Sequence, residues 1–214
     1  MALTRADVET WADLARNKLV PARPRVLEIG QANWYGDVPP PAGCDDPCPF
    51  KVARKWYKQV LDYASITALD FHGPDAVRAD LNGAVSLEGV FDVVINTGTS
   101  EHVFDQRRLF ETVHDFCEPG GLMVHAVPCG GWEDHGLYTY QPCFFRDLAA
   151  ANGYLGLSSN VWSFGERSPD RMLYVVMKKT RPGPFRVPIQ GKYRSPGVTK
   201  GLIAHVATKE PGII

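Results

Sequence analysis

The stretch Arg25-Val26-Leu27-Glu28-Ile29-Gly30-Gln31-Ala32-Asn33 decides the fold. Its first five residues carry Val26, Leu27 and Ile29, a short buried strand set off upstream by Pro21 and Pro24 and stopped by Gly30. Adjacent apolar residues such as Val26 and Leu27 point to opposite faces of a strand, so the stretch reads as a strand covered on both faces, the signature of a parallel sheet. Gly30 has no side chain to hold a ligand away from the backbone that follows the strand.

Outward from this strand, the pattern alternates. Upstream, Thr4 opens a first helix with Asp7 three residues later, echoing a capping box, and Val8, Trp11, Leu14 and Ala15 fall on one face. Downstream, Gln31 to Phe50 has no periodicity and carries Pro39-Pro40-Pro41, so it reads as a long shaped loop. Helical spacing returns from Lys51 to Tyr63, and Ser65 to Asp70 is a second strand. Val77-Arg78-Ala79-Asp80 is a short third strand and Phe91 to Asn96 a strong fourth. An amphipathic helix spans Asp105 to Cys117 with Leu109, Phe110, Val113 and Phe116 as its stripe. Glu118-Pro119-Gly120-Gly121 turns into the strand Leu122 to Val127. A loop from Pro128 to Tyr140 precedes a helix from Pro142 to Asn152, closed by Gly153. Two strands near Tyr154–Phe164 and Arg171–Lys179 follow, joined by a short turn.

Strands alternating with helices predict an α/β fold: a three-layer sandwich around a mostly parallel seven-stranded sheet, with an antiparallel hairpin at the C-terminal edge. Residues 1–180 are expected to form one domain, with a helix in 1–20 over the site. The Pro/Gly-rich remainder, 181–214, reads as an extended tail that wraps the domain, meets a second subunit of a homodimer, or is partly disordered. The chain holds 20 glycines and 17 prolines in 214 residues, above the usual combined share of about 12%. The surplus concentrates in the two long loops and the tail, which marks them as the shaped parts.

Composition removes several function classes. With 23 Lys+Arg against 24 Asp+Glu the net charge is −1, so no positive surplus attracts nucleic acid or an anionic membrane. The apolar runs are strand-sized, and a soluble cytoplasmic protein is expected. Five scattered cysteines argue against a disulfide framework. The one close pair, Cys44 and Cys48, lacks the further ligands a zinc site needs, and no metal is expected.

In an open parallel sheet, ligands bind beyond the carboxyl ends of the strands. There the chain puts Glu28-Ile29-Gly30-Gln31-Ala32-Asn33, then Asp70-Phe71, Asp80-Leu81, and Asn96-Thr97-Gly98-Thr99-Ser100-Glu101-His102. A carboxylate closing the second strand offers two acceptor oxygens to a ribose diol. His102, and His135 in the loop after the fifth strand, are candidate general bases. His125, inside an apolar strand, reads as a core residue. Trp34, Tyr35, Trp132 and Tyr138 are the loop aromatics expected to border an acceptor pocket, whereas Phe144 and Phe145 on a helix read as packing.

Val26-Leu27-Glu28-Ile29-Gly30, Ala68-Leu69-Asp70, Arg78-Ala79-Asp80-Leu81, Phe91-Asp92-Val93-Val94, Ser100-Glu101-His102-Val103 and Glu118-Pro119-Gly120-Gly121-Leu122, in this order and spacing, resemble the class I S-adenosylmethionine-dependent methyltransferases of the small-molecule type. The resemblance covers roughly residues 25–179. It implies S-adenosylmethionine as cofactor, with Glu28, Gly30, Gln31 and Asn33 at its amino-acid end and Asp70 on the ribose. It implies Phe71, Asp80 and Leu81 near the adenine, and Asn96, Thr97 and Gly98 beneath the sulfonium. Methyl transfer to a hydroxyl oxygen of a small-molecule acceptor, with His135 or His102 as base, is the implied activity. Glu101-His102 is similar to a metal-binding pair in the O-methyltransferases of quinone biosynthesis, but the acid three positions earlier is here Gly98. Ala32 and Trp34 stand where the family has further glycines. A pyrophosphate needs those glycines more than a phosphate-free cofactor does, which counts against the rival reading, a nicotinamide-dependent oxidoreductase. A non-catalytic binding module on the same fold is the other alternative.

Overall fold

Neighbouring residues along each central strand serve opposite cores. The computed structural model describes residues 2–34, 53–165, 168–189 and 191–193. In it, Leu27, Val94, Met123 and Val175 enter one apolar cluster, while Val26, Val93, Leu122 and Val176 enter another. The period-two alternation of a strand thus feeds two buried faces.

The elements are β1 (Ala2–Leu3), α1 (Arg5–Arg16), β2 (Arg25–Ile29), β3 (Asn33–Trp34), α2 (Arg54–Leu61), β4 (Ser65–Asp70), β5 (Val77–Arg78), β6 (Phe91–Thr97), a 3-10 turn (Ser100–His102), α3 (Gln106–Phe116), β7 (Cys117–Gly130), α4 (Pro142–Asn152), β8 (Leu155–Ser163) and β9 (Arg171–Lys178). Seven strands form one sheet in the order β5-β4-β2-β6-β7-β9-β8. Every pairing is parallel except those of β9 with β7 and β8. From β2 the chain steps out to β4 and β5, then crosses back to β6, so the order reverses between β2 and β6. That reversal opens a crevice at the carboxyl ends of these strands.

Helices α1 and α2 cover one face through Trp11, Leu14, Trp56, Tyr57 and Leu61, whose cluster includes Val26 and Val124. Helices α3 and α4 cover the other through Leu109, Phe110, Val113, Phe145 and Leu148. Ala15, expected on the packed face of α1, is exposed; Ala6 and Asp7 are buried instead, because the first turn of the helix lies against Tyr174 and Ala126. The turn expected at Glu118–Gly121 is a register shift inside β7: β6 advances from Phe91 to Val93 while β7 advances from Cys117 to Leu122. Gly121 is needed there, since a Cβ would sit 2.9 Å from the Glu118 carbonyl oxygen and 3.0 Å from that of Asp92. Asn33 and Trp34, expected in a loop, pair with Ala2 and Leu3 and tie the N-terminus to the segment after β2.

The start of the tail is docked. Asn152 pairs its amide with both backbone groups of Arg186, at 3.0 and 2.8 Å, and Phe185 packs on the α3/α4 core. Lys179 donates to the carbonyls of His114 and Cys117, satisfying the C-terminal end of α3. No helix among the described residues is long and apolar enough to cross a membrane.

Asp7 fastens α1 to the sheet. Its Oδ2 accepts from the Thr4 N–H at 2.7 Å, the Thr4 hydroxyl at 2.8 Å and the Tyr174 hydroxyl at 3.2 Å. Burial nevertheless dominates and pushes its carboxyl up to about 6. A folded-state value above the unfolded one makes the contribution complete below the unfolded value of 3.8 and lost as pH rises through about 6. At ~1.4 kcal/mol per pH unit, melting followed by circular dichroism should show the wild type losing several degrees between pH 4 and pH 7 relative to Asp7→Asn. Parallel melting curves for the two proteins would show that Asp7 titrates as an ordinary carboxyl.

Candidate functional site

The crevice between β2 and β6 is lined first by Gly30, which turns the chain with φ +80° and donates its N–H to Leu69 O at 2.7 Å. This left-handed turn suits glycine alone without strain. It aims the next amides at two carboxylates: Gln31 N–H meets Asp70 Oδ2 at 2.8 Å, and Ala32 N–H meets Glu28 Oε1 at 3.3 Å. Asp70 Oδ1 accepts from His72 N at 2.8 Å and Gly73 N at 2.9 Å. Partial burial raises the Asp70 carboxyl, but the amides of His72, Gln31 and Gly73 outweigh it and hold it below its ordinary value. Three of roughly four lone-pair positions are thereby filled, and one remains for a ligand.

Glu28 is in a different state. It is buried, desolvation pushes its carboxyl up to about 8, and the Ala32 amide, then Arg54, oppose that rise. Glu28 Oε2, Gln31 Nε2, Asn33 Oδ1 and Arg54 Nε are buried without a hydrogen-bond partner. Native proteins seldom leave such groups unpaired, because each costs about 1–3 kcal/mol. Acceptors and donors orphaned together at a strand-order reversal fit a ligand carrying both charges, such as an amino acid. Further along the rim, Phe71 is exposed with the Arg78 guanidinium 5.3 Å from its ring centre, Asp80 turns its Oδ1 to Asn82, and Leu81 is buried in the core.

The opposite wall starts at the end of β6. The Asn96 amide is spent internally: Nδ2 donates to Ser100 Oγ at 3.0 Å and lies 3.1 Å from His125 Nδ1, while Oδ1 accepts from Ser100 N. Thr97 is buried, and Gly98 N–H bonds Ala126 O. His125 sits between the rings of Phe110 and Phe145, and burial lowers its pKa to about 3, the core residue expected from the sequence.

Beyond Gly98, the 3-10 turn drives Glu101 inward. Its carbonyl accepts from Leu137 N at 2.7 Å and Tyr138 N at 3.1 Å, stapling the loop after β7 onto the turn. Gly136 makes this close approach workable, since a Cβ there would lie 3.0 Å from Glu101 Cγ and 3.1 Å from Glu101 O. The staple brings His102 and His135 together: each Nε2 is 3.9 Å from Glu101 Oε1, and the rings are 5.0 Å apart. Burial pushes the Glu101 carboxyl up to about 7, and burial, then His135, lower the pKa of His102. Trp132 lies against His135 with ring centres 5.0 Å apart. Tyr138, expected to face a ligand, gives its hydroxyl to Phe104 O at 3.0 Å. Tyr35, Cys44 and Cys48, and the Trp34 side chain, lie outside the described residues.

Glu101, which the sequence offered only as half of an incomplete metal-binding pair, thus matters, as do Arg54 and Ser100, which reasoning from sequence left out of the site. The Ser-Glu-His motif pointed at the first, but its inward orientation depends on a contact with a distant loop. Arg54 carried no signal, because a lone arginine at a helix start is ordinary.

The strand order, the single reversed strand and the crevice define the Rossmann-like fold of the class I S-adenosylmethionine-dependent methyltransferases. Solved structures agree. The 1,6-didemethyltoxoflavin-N1-methyltransferase of Burkholderia thailandensis, bound to 1,6-didemethyltoxoflavin and S-adenosylhomocysteine, superposes with a TM-score of 0.56 at 16% identity over 81% of this chain and 77% of that one. The N-methyltransferase NodS of Bradyrhizobium japonicum, in complex with S-adenosylhomocysteine, gives 0.54 at 15% identity over 83% and 89%. An S-adenosylmethionine-dependent methyltransferase of Mesorhizobium loti gives 0.51 at 17% over 77% and 95%. No sequence model of a protein family matches the chain, and no curated protein sequence does.

Proposed function

We propose that this protein transfers a methyl group from S-adenosylmethionine to a hydroxyl oxygen of a small-molecule acceptor, with His135 or His102 as general base. The observation that carries the reading is the pairing, across one crevice, of a buried polar cradle with an acid–imidazole cluster. The cradle suits the cofactor: Glu28 Oε2 would meet an ammonium, Arg54 and Gln31 a carboxylate, and the open position on Asp70 a ribose hydroxyl. In this reading Phe71, Asp80 and Leu81 would border the adenine, and Thr97 and Gly98 the sulfonium. When bound, the sulfonium supplies an electrophilic methyl group.

The rest falls to this chain. An amine acceptor attacks as the free base, whereas a hydroxyl must lose its proton, and the Glu101–His102–His135 cluster is suited to take it. His135 or His102 would take the hydroxyl proton on an imidazole nitrogen, as the methyl group passes from the bound cofactor to the acceptor oxygen and leaves a neutral thioether behind. Trp132, and the exposed Phe104 and Leu137 beside the cluster, favour an acceptor with an apolar or planar part. Helix α1, anchored at Tyr174, is the roof of the crevice in this reading, and residues 1–180 the working domain.

Calorimetric titration with S-adenosylhomocysteine tests the proposal. Micromolar binding at one site per chain is expected, with no response to the reduced nicotinamide cofactor in a fluorescence titration. Folded protein that binds neither S-adenosylmethionine nor its demethylated product would overturn it.

A further inference from the structure

The two histidines and Glu101 have a geometry that proton transfer alone does not require. Both Nε2 atoms face the same carboxylate oxygen at 3.9 Å, and the three ligand atoms lie within 4.8 Å of one another. We infer that Glu101, His102 and His135 form a three-ligand site for a divalent transition-metal cation, joining the 3-10 turn after β6 to the loop after β7.

Four observations support it. The carboxylate is 1% exposed, and its Oε2 is buried without a hydrogen-bond partner. The histidines are half-exposed, at 46% and 44% of their side chains, so a cation there would keep coordination positions open to solvent. Two imidazoles and one carboxylate are the donor set of zinc and iron(II) sites with open positions, whereas magnesium and calcium prefer oxygen alone. Finally, the cage is near in size: ligand atoms around a cation held at ~2.1 Å sit roughly 3–3.5 Å apart, so each His–Glu101 pair, now at 3.9 Å, must close by about half an ångström and the widest pair, within 4.8 Å, by at most about 1.8 Å. Rotation of two half-exposed rings provides that.

The inference rests on the proposed function for what the cation would do, and not for whether it binds. In the loaded protein an acceptor oxygen takes an open position, its proton is lost to solvent, and the imidazoles act as ligands. In the metal-free protein they remain bases.

Cobalt(II) is the probe. Tag-free protein, treated with a chelator and dialysed, is titrated with cobalt(II) and followed by visible absorption, with zinc(II) calorimetry alongside. One equivalent per chain is expected, with affinity reduced at least about tenfold in each of Glu101→Gln, His102→Ala and His135→Ala. The His135 variant keeps the test sound if the buried Glu101 change disturbs folding. No ligand-field bands from folded protein, or equal affinity in the two histidine variants and the wild type, would overturn the inference. S-adenosylhomocysteine titrated into the same samples separates the claims. Cofactor binding without cobalt binding defeats the metal site and leaves the methyltransferase reading standing; cobalt binding without cofactor binding does the reverse.

Discussion

His135→Ala should lower turnover by about 10²- to 10⁴-fold, the usual range for loss of a general acid or base, while S-adenosylhomocysteine binds as in the wild type. The residue lies in the loop after β7, in a different wall from Gly30, Asp70 and Glu28, so the residues expected to hold the cofactor should not feel its removal. Its ring is 44% exposed and packs on Trp132 and His102, so the melting temperature should hardly change. The loss therefore belongs in kcat, as for a group acting only in the transition state. His102→Ala is the necessary companion, because both imidazoles address the same carboxylate oxygen. If His135→Ala keeps full activity and His102→Ala loses it, the base is His102. Full activity in both variants would remove the cluster from the reaction altogether.

The sheet was legible because burial on both faces leaves a compositional trace. Arg25–Ile29, Ser65–Asp70 and Pro142–Asn152 appear in the structure with the bounds their sequence predicts. The carboxyl ends of β2, β4 and β6 were legible for the same reason: a polar residue directly after a buried strand has few places to go. Contacts closed by loops were not. Asn96 looked like a ligand-facing residue, yet its amide spans Ser100 and His125, a partner that becomes adjacent only through the pairing of β6 with β7. The cluster beneath His102 is hidden likewise. Nothing local says that Leu137 and Tyr138 will bond the Glu101 carbonyl, and without that staple His135 is one more polar residue in a glycine-rich loop.

Asp70→Ala is expected to weaken S-adenosylhomocysteine binding by about 10- to 100-fold, because it removes a charged hydrogen-bond partner worth roughly 1.5–3 kcal/mol. It also takes the shared acceptor from the amides of Gln31, His72 and Gly73, which set the path of the chain after β2 and β4. Gly73 has little room to adjust, since a Cβ there would lie 2.5 Å from Gln31 Oε1 and 2.9 Å from Asp70 Cβ. A fall in stability of about 1–3 kcal/mol should accompany the loss of affinity. Asp70→Asn separates the two effects. It keeps one acceptor oxygen for part of the turn and presents an amide where the ribose would want a carboxylate, so stability should recover more than affinity. The pH dependence has a definite sign. A carboxyl held below its unfolded value contributes stability that is present above that value and lost as pH falls through the folded one. The wild type should therefore lose its advantage over Asp70→Asn only in strong acid. If calorimetry finds both variants binding S-adenosylhomocysteine like the wild type while their melting temperatures fall, Asp70 is a brace for two loops, and the open position on its carboxylate has no ligand.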